Sequence, residues 1–339
     1  MTLLATPRLG QETVDAVDPV GPDSGGRRRL RWPFSRRYLL GRTVNAAIAV
    51  WAVLTIVFFA LHLTGNPAVL LVSPDASRSD VERISAQLGF DKPLIVQYGI
   101  FLGQIAGGHF PASIRYGTDP LAIVLSRLPA TLLLGGTGLV AGVLLGLAAG
   151  YWAAIGRNER LRRVPVSILT AFEAVPSFFL SVVFIALFAI TWPVLPIAGN
   201  DSPAALVLPA AVIALALAAP IARVFRTSLT EVLDADHVRL AEAKGLSATA
   251  VTLRHVVMNS LAPVVNVVGV QAGVVLGGAV VTESVFSWPG VGQLATSAIA
   301  SRDYPVVLAS VTLIAVGFVL INLVVDAAAA LLDPRGGRR

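Results

Sequence analysis

Hydrophobic positions along this chain gather into six long runs, near residues 45–63, 129–154, 167–190, 204–221, 261–281 and 306–332. A helix needs about 20 such residues, at about 1.5 Å each, to cross a hydrocarbon layer about 30 Å thick. The pattern predicts an all-α membrane protein with six transmembrane helices. The first run lacks a small-residue cleavage site and exceeds the apolar region of a signal peptide, so it reads as a retained transmembrane helix over 38–64. Ser35-Arg36-Arg37 resembles a twin-arginine export signal, but the positive flank of a spanning helix accounts for the same residues.

Between the runs the period changes. Within 65–128, Val81, Ile84 and Leu88 recur at helical spacing, as do Ile95, Tyr98, Phe101, Leu102 and Ile105, and Gly107-Gly108 ends the second set. This predicts two short amphipathic helices in an external loop. After the fifth run, Trp288-Pro289-Gly290 is a turn signal and Trp288 and Tyr304 are interfacial aromatics, so this segment is expected to dip back toward the bilayer. Residues 1–37 lack apolar periodicity and end in a basic run from Arg27 to Arg37, which predicts a disordered cytoplasmic tail. Residues 336–339 form a second, short cytoplasmic tail.

Composition narrows the class. Apolar residues make up 55% of the 339 and charged residues 14%, against about 25% charged in soluble domains, so a soluble enzyme is excluded. The net charge is +6, from 26 Lys and Arg against 20 Asp and Glu. With the N-terminus inside, 20 of those 26 cations fall in cytoplasmic segments, which places both termini in the cytoplasm. Basicity distributed in this way meets membrane lipid headgroups rather than nucleic acid. The absence of cysteine removes disulfides and thiolate metal sites. His62, His109, His237 and His255 do not pair at metal-ligand spacing, and neither Lys92 nor Lys244 stands in a phosphate-cradling loop. No metal, no ATP site and no catalytic residue are expected in this chain.

Polar groups inside spanning runs are costly unless they face a partner or water. Glu173 in the third run, Asn266 and Gln271 in the fifth, and Glu283 at its outer end are therefore candidates to line a pathway. Asn322 and Asp326 lie in the sixth run. The alternative is that each bonds across the helix bundle. A proton-coupled secondary transporter would be built on Glu173, which has no basic partner at similar depth in the sequence. Glycines four apart at Gly138, Gly142, Gly146 and Gly150, and again at Gly269, Gly273 and Gly277, mark helix-packing seams.

The segment 222–258 mixes helix formers with a Gly245-Leu246-Ser247 break, where Ser247 is placed to cap a helix starting at Ala248. Val238, Leu240 and Ala241 beside Arg239, Glu242 and Lys244 make a small amphipathic knob, suited either to a groove of a soluble partner or to the headgroup layer. Here the chain resembles the coupling segment of permease subunits of bacterial ABC importers of the dipeptide and oligopeptide type. Val238, Arg239, Ala241, Ala243, Lys244, Gly245, Leu246 and Ser247 match that family, while Leu240 and Glu242 depart from its usual Thr and Arg. The resemblance continues through Arg254-His255, Asn259, Pro263, GGAVVTESVFSWPGVGQL, SRDYPVV and LLDPR. It also takes in TGNPA, LGFDKPLIVQY and RLPATL, and so covers nearly everything from Tyr38 to Arg335.

The resemblance implies a type I ABC importer permease in the bacterial cytoplasmic membrane, with a five-helix core over 129–335 that contains a cytoplasmic coupling helix. It implies a second homologous permease subunit, two ATP-binding subunits that carry ATP and Mg, and an external substrate-binding protein. Arg239, Ala241, Lys244, Gly245, Leu246 and Ser247 would form the knob docked on the ATPase, with Gly245 where a side chain would obstruct. Phe286, Trp288, Pro289 and Gly290 would face the binding protein or cap the pathway externally. Peptides are the commonest substrate of such permeases, whose sequences do not separate dipeptides from oligopeptides, glutathione or nickel complexes.

Overall fold

The computed structural model describes residues 36–332 apart from 64, 66, 71–76 and 157. The tails expected over 1–37 and 336–339 lie outside the described residues, except that Arg36 and Arg37 already belong to the first helix; the side chain of Asp326 also lies outside them. In chain order the helices are α1 (Arg36–Leu63), α2 (Arg78–Leu88), α3 (Leu94–Ala106), α4 (Pro120–Ile155), α5 (Glu159–Arg162), α6 (Val164–Glu173), α7 (Ser177–Ile185), α8 (Val207–Leu233), α9 (Asp236–Ala243), α10 (Ala248–Ala250), α11 (Met258–Val285), α12 (Val291–Ala300) and α13 (Tyr304–Leu332). There is no strand among the described residues.

Among the described residues, five helices are long and apolar enough to cross a membrane: α1, α4, α8, α11 with the turns before it, and α13. The third apolar run is not the continuous helix expected over 167–190. It is broken into α6 and α7, which meet at a bend of 100° and make a sixth crossing only if taken together. Pro176 is the physical reason. Its ring disfavours a helical conformation at Val175, and it has no N–H to continue the ladder, so α6 stops at Glu173 and α7 restarts at Ser177. Pro129, Pro220 and Pro263, by contrast, lie within unbroken helices, which spanning segments tolerate when neighbours satisfy the freed carbonyls.

Two boundaries move for local reasons. α4 begins at Pro120 rather than 129, because the Asp119 carboxylate accepts the Leu121 N–H at 3.0 Å and Pro120 occupies the first helical turn. α8 runs on to Leu233, twelve residues past the expected end of the fourth run, and so carries Arg223 and Arg226 on the same continuous helix as that run rather than in a separate cytoplasmic segment.

The glycines of α4 meet α8. A Cβ on Gly146 would lie 2.8 Å from the carbonyl oxygen of Ala218 and from Ile221, one on Gly150 2.8 Å from the Ala222 oxygen, and one on Gly142 3.0 Å from the Ala214 oxygen. Glycine at every fourth position of α4 thus faces alanine at every fourth position of α8, and the two backbones come together. Gly269 and Gly273 of α11 do the same against Val325 and Phe318 of α13, whereas Gly277 faces open space and is not part of that seam.

The two amphipathic helices of the first long loop are present as α2 and α3. Ser77 and Asp80 form a reciprocal capping box at the start of α2, and Gly89, with φ of +78°, ends it. Phe101 of α3 stacks on Phe58 of α1 at 5.1 Å, and the Thr55 and Tyr98 hydroxyls meet at 2.7 Å. Asp303, just ahead of α13, accepts the Ser113 hydroxyl and the backbone N–H groups of Ile114 and Arg115, which pins the α3–α4 connection to the sixth apolar run.

The seam predicts a contrast within one helix. Gly146→Ala is expected to destabilise the protein by about 1–3 kcal/mol through overpacking. Gly136→Ala, whose Cβ would meet nothing within 4 Å, is expected to be neutral or to stabilise by up to about 1 kcal/mol. Thermal midpoints of the two purified variants in mild detergent measure this, and equal midpoints would show that α4 and α8 do not meet in this register.

Candidate functional site

The knob that follows α8 is built on a firm base. Val238 and Ala241, three residues apart on α9, share one face and are only 2% and 4% exposed. They pack with Phe225 and Leu229 of α8, with Val251 and Val256, and with Val264 of α11 in one apolar cluster. Ala241 had been expected on the docking face; helical spacing from Val238 turns it inward, where it anchors the knob. The outward face carries Leu240 and Leu246, 56% and 45% exposed, beside Arg239, Glu242, Lys244 and Ser247.

The turn of the knob is set by backbone geometry. The Gly245 N–H donates to the Glu242 carbonyl at 2.9 Å, and Gly245 adopts φ of +79°, the left-handed position that ends α9. A Cβ at Gly245 would meet nothing within 4 Å. Within this chain its glycine is therefore required by conformation, since the left-handed φ and not a neighbouring atom excludes a side chain. The Ser247 hydroxyl accepts the Ala250 N–H at 3.4 Å and caps the next helix, as its position predicted. Asn259 donates to the His255 carbonyl at 2.6 Å and stands 3.5 Å from the His237 ring, at the junction of α9 with α11.

Glu173 has the basic partner that the sequence seemed to lack. The Arg223 guanidinium donates to both of its carboxylate oxygens, at 2.7 and 3.2 Å, and reaches the Thr170 hydroxyl at 3.4 Å. This fork holds the last turn of α6, just before the Pro176 bend, against α8. Arg223 escaped notice because it was counted with the cytoplasmic segment 222–258, beyond the fourth run; the continuation of α8 brings it level with Glu173.

Glu283, expected along a pathway wall, is instead fully enclosed by its own subunit. It accepts the Thr131 hydroxyl at 2.7 Å and the backbone N–H groups of Gly292 and Gln293 at 2.7 and 3.0 Å, while the Val291 N–H donates to the same Thr131 hydroxyl. The carboxylate sits at the N-terminus of α12, where free N–H groups and the helix dipole favour an acceptor. A Cβ on Gly290 would strike this carboxylate, and one on Gly292 would strike the backbone of Val280 as well as the carboxylate. Around it, Trp288 is buried with its indole N–H on the Ala130 carbonyl at 2.9 Å, and Phe286 packs with Leu180, Leu208 and Val212. Pro289 borders a cavity of about 520 Å³ shared with Ser126, Arg127 and Asn200. The WPG segment therefore clamps the α11–α12 turn onto α4.

Asn266 is exposed and Gln271 half-buried on α11, and neither makes a side-chain hydrogen bond among the described residues. The Asn322 amide donates to the Phe318 carbonyl of its own helix.

Comparison with known proteins places this geometry. Residues 142–337 match the family described as the binding-protein-dependent transport system inner membrane component, and residues 35–134 match its N-terminal companion. The glutathione transport system permease protein GsiC of Escherichia coli strain K12 is 37% identical over 298 residues, which cover 88% of this chain and 97% of that protein. GsiC of Shigella flexneri serotype 5b matches to the same extent. Two crystal forms of the MetNI methionine ABC transporter in inward-facing conformations share the fold. One has a TM-score of 0.51 at 17% identity, over 62% of this chain and 96% of that one; the other has 0.50 at 19%, over 64% and 97%.

The Glu283 hub yields a stability prediction. Glu283→Ala leaves two backbone N–H groups and the Thr131 hydroxyl without their acceptor in a buried site, at about 1–3 kcal/mol each. The variant is expected to lose its folded thermal transition or to be cut by protease between α11 and α12. Asn266→Ala should stay within about 0.5 kcal/mol of the parent. Parent-like stability of Glu283→Ala would mean that water or another group fills the hub.

Proposed function

The chain belongs to the binding-protein-dependent transport system inner membrane components, multi-pass membrane subunits of ABC transporters, and on that premise we propose that it is the permease of an ATP-driven peptide importer. In this reading it forms half of the translocation pathway with a second, homologous permease. Both termini lie in the cytoplasm, an external substrate-binding protein delivers the peptide, and ATP and Mg are held by two ATP-binding partner subunits.

The observation that carries the reading is the form of the knob. Leu240 and Leu246 project beside Arg239 and Lys244 from a helix whose other face is locked into the bundle by Val238 and Ala241. Such a surface takes a soluble partner in a groove, and because its base is shared with α8 and α11, movement of the partner is passed to those helices as rigid-body motion. The relative GsiC is named for glutathione, itself a small peptide, which supports a peptide as cargo here. The other reading, a proton-coupled carrier built on Glu173, has no support: that carboxylate is engaged by Arg223, and the family is that of ABC transporter subunits.

The double variant Leu240→Glu with Leu246→Glu is expected to insert and to melt like the parent yet to lose its ATPase on purification in mild detergent. Retention of the ATPase at normal stoichiometry would sink the assignment of the knob. For the cargo, ATP-dependent uptake by the assembled importer should be inhibited by dipeptides, by oligopeptides or by glutathione; inhibition by none of the three would reject the peptide reading.

A further inference from the structure

The last turns of α8 carry a polar face that the function above does not use. Arg223, Arg226, Thr227, Thr230 and Glu231 fall at i, i+3, i+4, i+7 and i+8, all exposed, and line a cleft of about 410 Å³. The opposite face, Ala222, Phe225, Ser228 and Leu229, is buried. A spanning helix that met lipid here would show large apolar side chains. α1 exposes Ile48, Trp51 and Ile56, and α13 exposes Phe318, Leu320 and Val324, but Val207 is the only large apolar side chain that α8 exposes among the described residues. Charged groups on a membrane helix face protein or water, because facing hydrocarbon is costly.

We infer that this face of α8 is the water-lined wall of the passage near its cytoplasmic end, and that it takes cargo bearing both charges, such as a peptide with free termini. The inference rests on the importer reading and adds to it the place and chemistry of the wall. Arg223 is tied to Glu173, while Arg226 and Glu231 make no ion pair among the described residues. The strip thus presents one cation and one anion about five residues apart, some 7 Å along the axis, with no net charge. A wall of one sign would hold the oppositely charged end of a peptide; a balanced wall favours entry of a zwitterion without trapping it, as conduction requires.

The chain has no cysteine, so single-cysteine variants report directly. Thr227→Cys, Thr230→Cys and, as a buried control, Ser228→Cys are placed in the complete importer in inside-out membrane vesicles, with the binding protein enclosed. A charged, membrane-impermeant thiol reagent is expected to label the two threonine variants and not Ser228→Cys. A transported dipeptide with ATP should slow labelling at Thr227→Cys several-fold. Labelling by a lipid-soluble maleimide alone would place the face against lipid. Labelling of the isolated subunit but not of the complete importer would place it against a partner, and labelling indifferent to dipeptide would remove the cargo role; each outcome overturns the inference. Uptake measured on the same variants separates the two levels. Variants that transport but are not labelled reject the wall, whereas absence of ATP-dependent uptake by the parent rejects the importer reading itself.

Discussion

The close approach of α4 and α8 is the contact on which the rest of this subunit depends. Lipid supplies no hydrophobic drive between helices, so two apolar helices stay together only where their backbones come near enough for dense van der Waals contact. Gly142, Gly146 and Gly150 against Ala214, Ala218 and Ala222 provide that approach over more than two turns. Everything downstream is referred to α8. Its continuation past the seam sets the height of Arg223, which fixes the bent α6–α7 pair through Glu173, and its end supplies Phe225 and Leu229 as the floor under the knob.

Without disulfides, the connections between spanning helices are held by buried carboxylates that accept several backbone donors. Glu283 joins α11, α12 and α4; Asp303 joins α13 to the segment before α4. In both cases the acid caps N–H groups that a turn or a helix start leaves unpaired, and the donors are backbone or hydroxyl groups rather than cations. Each carboxylate therefore fixes one arrangement of its loop. A loop clamped in this way moves with its helices rather than independently of them.

The six apolar runs, the two loop helices, the Ser247 cap and the glycine seam were legible because each depends on neighbours in sequence: periodicity, a cap, a four-residue repeat. What was not legible depends on where a helix ends or on what faces it. Pro176 sits in an apolar run just like Pro220, and only the surroundings decide that one breaks its helix and the other does not. Arg223 was set outside the fourth run because hydropathy falls after Ile221, although the helical spacing of Arg223, Thr227 and Thr230 was there to be followed. Glu283 was singled out correctly as a costly group, but its enclosure comes from Gly292 and Thr131, nine residues ahead of it and 152 behind, and a single sequence does not show that meeting. Ala241 was assigned to the docking face with the other residues of its motif; the three-residue step from Val238 already said which way it points.

That step also bears on how the knob would work in the proposed coupling role. A coupling element that hinged at its base would absorb the motion it is meant to pass on. Here the base is a packed cluster, and the turn at Gly245 is closed by backbone hydrogen bonds, so the freedom left to the knob lies in the outward side chains alone. Under that proposal, those side chains would set the choice of partner. Glu242 is exposed on that surface, where the resemblance leads one to expect arginine, so an ATPase groove that received the knob as proposed would have to present a cation or an open, hydrated position at that point. An ATPase whose groove is acidic there would meet like charge at a contact that is otherwise well formed, and pairing with the wrong ATPase would be disfavoured by repulsion rather than by loss of fit.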